Sequence, residues 1–72
     1  MKITNDEITK IQSYMQEKFG NKTLALRPRA QTDDSVEVLL NGEFIGVIFK
    51  DDEDPNDISY DFNMAILAMD LA

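Results

Sequence analysis

Apolar positions recur along the first quarter of the chain at helical spacing. Ile8, Ile11, Met15 and Phe19 are separated by three, four and four residues, one stripe of a 3.6-residue helix, with Tyr14 beside it. Thr4-Asn5-Asp6-Glu7 in front of them reads as a capping box: the Thr4 hydroxyl accepts the Glu7 N–H and the Glu7 carboxylate accepts the Thr4 N–H. Ile3 and Ile8 occupy the hydrophobic-staple positions, and Asp6 and Glu7 lie at the positive end of the helix dipole. Gly20 follows as a left-handed C-cap. The pattern predicts a helix over 5–19.

The period then changes to two. Leu24, Leu26 and Pro28 alternate with polar neighbours, which predicts a strand over 22–29. Pro28 cannot donate to a ladder, so this strand lies at an edge or ends there. Val36 to Leu40, Asn41-Gly42 and Glu43 to Phe49 read as a two-residue hairpin, because Asn-Gly supplies the two positive φ angles of a type I′ turn. An uninterrupted hairpin pairs Leu40 with Glu43, Leu39 with Phe44, Val38 with Ile45 and Val36 with Val47. It places Val36, Val38, Leu40, Ile45, Val47 and Phe49 on a core face under the helix. Glu37, Leu39, Phe44, Gly46, Ile48 and Lys50 then form the opposite face, where Leu39, Phe44 and Ile48 still need cover.

An acidic loop, 51–57, separates this hairpin from a last segment. There Ile58, Tyr60, Phe62, Met64 and Ile66 alternate with smaller or polar residues, which favours a strand over 58–67. A rival reading caps a short helix at Asn63 and runs it from Met64 to Leu71. The expected fold is α+β, a single domain over 1–72: one N-terminal amphipathic helix packed on a three- to four-stranded antiparallel meander, in the order α-β-β-β-β.

Composition narrows the function. Leu, Ile, Val and Phe make up 20 of 72 residues, which argues against disorder. There is no Cys, so a disulfide scaffold, a zinc finger and thiol chemistry are excluded. There is no His, the commonest general base and metal ligand. Ser13, Ser35 and Ser59 have no evident base, and carboxylates in an open loop keep ordinary acidity, so no stand-alone enzyme is expected. Nor is any cofactor implied. No apolar run reaches the roughly 18 residues of a membrane span and Met1 to Asp6 does not read as a signal peptide, so a cytoplasmic protein is expected.

Charge is divided along the chain. Residues 1–31 carry six basic side chains against three acidic ones, a net +3; residues 32–72 carry Lys50 against eleven acids, a net −10. Such asymmetry points to a partner, with the acidic half steering toward a basic surface, or to halves that attract one another within the fold. The total of −7 disfavours nucleic acid, and no aromatic interleaves with the arginines.

Three candidate sites remain. Asp52-x-Asp54-x-Asn56 matches positions 1, 3 and 5 of a calcium loop, but Asp57 replaces the required Gly and Asn63 the final Glu. Arg27 and Arg29 lie about 7 Å apart on one strand face, a spacing that suits a phosphate or a pair of carboxylates, or this chain's own Glu37. The helix stripe fits a core better than a groove-binding face. The favoured reading is a protein-interaction module or homodimer using an apolar sheet face or an edge strand. The alternative is a binder of an anion at Arg27 and Arg29, or of a cation at Asp52, Asp54 and Asn56.

Leu26-Arg27-Pro28-Arg29, Asp33 to Val38, Gly42 to Val47, Ser59 to Leu67 and Asp70-Leu71 together resemble a family of short alphaproteobacterial proteins, catalogued as domain of unknown function number 3126. The resemblance covers nearly the whole chain. It implies a bacterial cytosolic protein that stands alone, carries over no activity and assigns no site residue.

Overall fold

The computed structural model describes residues 2–71. Helix α1, Asn5–Phe19, starts at Thr4 with both hydrogen bonds of the capping box in place: Glu7 N–H to Thr4 Oγ1 at 3.2 Å and Thr4 N–H to Glu7 Oε1 at 2.9 Å. It ends at Gly20 with φ of 62°, where Gly20 N–H donates to the Glu17 carbonyl and Asn21 N–H to that of Gln16. This paired closure is open to a residue without a Cβ penalty at positive φ. Four strands follow: β1, Ala25–Pro28; β2, Ser35–Leu40; β3, Glu43–Asp51; and β4, Ser59–Met64. They form one antiparallel sheet in the order β1-β2-β3-β4. The α-β-β-β-β meander expected from the pattern is the observed fold.

The Asn41-Gly42 turn has the expected positive φ values of 54° and 81°. Beyond it the hairpin departs from the uninterrupted register. Leu40 pairs with Glu43 and Leu39 with Phe44, but Val38 pairs with Gly46 and Val36 with Ile48. Ile45 is an extra residue in β3, a β-bulge that shifts every later side chain to the other face. Val38 therefore does not face Ile45, nor Val36 face Val47. Val47 and Phe49 leave the predicted core face for the open side of the sheet. Ile48, expected on that open side, is 2% exposed and belongs to the core with Val36, Val38, Leu24, Leu26, Met15 and Ile3. Ile8, Ile11, Leu40 and Ile45 pack around this cluster.

The helix rests over β1. Leu26 N–H donates to Gln12 Oε1 at 2.9 Å, and Gln16 Nε2 donates to the Leu24 carbonyl at 2.8 Å. Two helix side chains thus satisfy backbone groups of the first strand and its lead-in. Pro28, the last residue of β1, lies at the sheet edge, as a residue without an N–H requires.

The last segment fits neither sequence reading in full. The strand stops at Met64, short of 67, and the rival helix over 64–71 is replaced by a short 3-10 turn at Ala68–Leu71. Leu67 N–H donates to Asp70 Oδ2 at 3.2 Å, so Asp70 holds this turn locally. Past Met64 the apolar side chains Ile66, Leu67, Met69 and Leu71 are exposed, and alternation alone does not extend a strand. Among the described residues no helix is long and apolar enough to cross a membrane.

Candidate functional site

The bulge decides which side of β4 faces the helix. Because Gly46, Ile48 and Lys50 point toward α1, their partners Met64, Phe62 and Tyr60 do so as well. The helix covers β1 and leaves β4 open, so a groove of about 410 Å³ runs between them. Ile11, Tyr14, Met15 and Phe19 form one wall, Ile48 the floor, and Tyr60 and Phe62 the other wall; Lys10 and Lys18 stand at the rim. Tyr14 is 62% and Phe19 56% exposed. The stripe expected as core is thus divided: Met15 is buried, Ile8 and Ile11 are half-buried, and Phe19 opens into the groove.

Gly46 allows β4 to come this close. A Cβ there would strike the Asn63 carbonyl oxygen and lie 2.7 Å from Phe62 Cε1, so the Phe62 ring lies across the space a side chain would need. This is the close approach that a lone glycine in a strand permits.

A polar node closes one end of the groove. Glu7 pairs with Lys50 at 3.0 Å, Tyr60 Oη donates to Glu7 Oε2, and Lys50 Nζ also donates to the Lys2 carbonyl at 3.2 Å. The Thr4 N–H, the Tyr60 hydroxyl and Lys50 together pull the Glu7 carboxyl down from 4.5 to about 2. The same hydrogen bond to a carboxylate, aided by burial, pushes Tyr60 up to about 12. Without the bulge Lys50 falls on the other face, so the node is not readable from an alternating pattern. The one local signal was Gly46, an isolated glycine inside a strand, which marks a bulge or a close approach.

The residues singled out from sequence are dispersed. Leu39 and Phe44 lie on the open face, Leu39 half-buried and Phe44 52% exposed. Phe44 and Val47 border a second hollow whose far side is built by Asn63, Ile66, Leu67 and Asp70. Ile48 lies in the core, on the opposite side from the patch to which its position assigned it. Arg27 is held by Glu37 on the neighbouring strand, with Nε to Oε1 at 2.7 Å and Nη2 to Oε1 at 2.5 Å. Arg29 Nη1 donates to Ser35 Oγ at 3.3 Å, and both arginines border a shallow hollow of about 440 Å³. In the acidic loop Asp51 Oδ1 accepts the Glu53 N–H, and Asp54 Oδ1 accepts the Asn56 N–H. Asp52 is half-buried, and among the described residues its Oδ2 meets no hydrogen-bond partner. No three acidic side chains among the described residues converge so as to hold an ion.

The family model described as protein of unknown function (DUF3126) matches residues 7–70. The chain belongs to the DUF3126 family. No curated protein and no solved structure matches it. The matched span of this DUF3126 protein begins at Glu7 and takes in every residue of the groove and of the node except Thr4 and Lys2.

Proposed function

We propose that this DUF3126 protein is a cytoplasmic docking module that acts by binding another polypeptide along α1 and β4, with no chemistry of its own. The observation that carries the reading is the groove between them. Its walls are apolar along their length, its aromatic side chains are exposed, and two lysines border it. Exposed aromatic side chains grouped along one groove and rimmed by charge support an interaction site. A chain without cysteine also suits a reducing compartment.

A photo-crosslinking amino acid at Tyr14 tests this, with one at Thr9, on the opposite side of α1, as control. The expected result is one discrete polypeptide adduct from position 14, mapped to the groove by mass spectrometry and lost when Phe62→Glu is added. Equal, diffuse labelling from both positions would defeat the reading.

A further inference from the structure

The two edges of the sheet are finished differently. At the β1 edge the helix supplies Gln12 and Gln16 to backbone groups, and Pro28 removes a donor. Among the described residues no side chain does this for β4. All six residues of β4 are exposed, and the strand has no proline, lysine or bulge. These are devices by which proteins usually blunt an edge, and on β4 only the single charge of Asp61 stands in for them.

The molecule also exposes too much surface for its mass. A folded monomer of 8.2 kDa is expected to expose about 4,500 Å². This chain exposes 5486 Å². The excess, roughly 1,000 Å², is comparable to the ~800 Å² that each partner buries in a standard interface. The radius of gyration, 12.9 Å, exceeds the ~11 Å of a compact chain of this length.

We infer that the polypeptide taken up along β4 is a second copy of this chain, paired antiparallel through the β4 edge to give a continuous eight-stranded sheet. This rests on the docking reading above and names its partner. The register follows from the residues. Keeping Tyr60, Phe62 and Met64 of both copies on the helix side allows only two pairings that join five residues of each strand. One sets Asp61 opposite Asp61 of the second copy, and like charges directly opposed are unfavourable. The other sets Phe62 against Phe62 on the twofold axis and Asp61 against Asn63, whose amide can donate to it. The second register is the one assigned. Both helices then lie on one face, and the two grooves merge over a floor of paired aromatics. Each copy carries a net charge of −7, so association strengthens with salt.

Sedimentation of the full chain against concentration tests this, with two single variants and one double variant. The wild type is expected at twice 8.2 kDa. Phe62→Glu places two carboxylates on the axis and should weaken the dimer at least tenfold, its far-ultraviolet circular dichroism unchanged. Asn63→Lys lies on the open face and meets Asp61 of the other copy in this register alone, so it should tighten the dimer at least threefold. Adding Asp61→Asn should erase that gain. A wild-type monomer at millimolar concentration overturns the pairing. A discrete partner other than this chain crosslinked from Tyr14 would leave the docking reading standing, and diffuse labelling would remove both. A dimer indifferent to both variants overturns the edge and its register while the docking reading survives.

Discussion

Replacing Glu7 with Gln separates two tasks that one carboxylate performs. Gln at this helix position still accepts the Thr4 N–H, so the capping box survives. What is lost is the charge facing Lys50 and the oxygen that accepts the Tyr60 hydroxyl, since an amide NH2 takes its place. The two side chains are 19% and 12% exposed, between the surface case, worth up to ~1 kcal/mol, and full burial, where breaking a pair costs about 3–5 kcal/mol. Lys50 keeps its bond to the Lys2 carbonyl, which softens the loss. The carboxyl's fall from 4.5 to about 2 sets a ceiling of ~3.5 kcal/mol, because each unit is worth about 1.4 kcal/mol. The Thr4 N–H is the largest cause of that fall, and Gln keeps that contact. A cost of about 1–2 kcal/mol at pH 7 is therefore expected, or a fall in Tm of roughly 5–15 °C for a chain of this size. Since the folded pKa is depressed, the stabilisation is complete above the unfolded value of 4.5 and is lost as pH falls toward 2. Urea denaturation at one fixed protein concentration should show the wild type and Glu7→Gln separated at pH 7 and converging between pH 5 and pH 2. Parallel curves through that window, or a difference below ~0.3 kcal/mol at pH 7, would refute the coupling of helix start to sheet.

Two further outcomes follow from the same geometry. Gly46→Ala should cost about 1–3 kcal/mol and displace β4, read as lost amide protection at 59–64 with α1 intact, because a Cβ meets the Asn63 carbonyl and the Phe62 ring. Ultraviolet titration should find Tyr60 ionising near 12; the raised value means its contribution is present below pH 10 and lost as pH climbs from 10 to 12, and Tyr60→Phe should remove that alkaline step.

The helix was legible because its signals are local. Thr4, Glu7, Gly20 and the apolar stripe each act within a turn or two, and 5–19 is what forms. The Asn41-Gly42 turn is local in the same way. The two-residue alternation located β2, β3 and β4 and the core face of β2, but not the faces of β3, because a single extra residue at Ile45 reverses everything after it. Alternation therefore places Ile48 on an open patch and leaves Lys50 without a partner, while Arg27, on the near side of the turn, meets Glu37 as its spacing allows. At the C-terminal end, Met64 to Leu71 carries both periodicities at once, and only packing could choose. Almost nothing packs there: Ile66, Met69 and Leu71 are each at least 67% exposed.

The bulge also accounts for the groove. With an uninterrupted β3, Val47 and Phe49 would face the helix, and their partners Asn63 and Asp61 would turn inward with them. The helix would then look across at a polar β4, and Tyr60, Phe62 and Met64 would lie on the far side of the sheet. One residue reverses this. It buries Ile48, brings Lys50 to Glu7 and Tyr60, and lines the β4 side of the groove with aromatic rings. The seven buried apolar residues among those described make a small core for a chain that must also offset the ordering entropy of its backbone. In this fold the apolar surface that would enlarge the core has been turned instead toward an open strand edge.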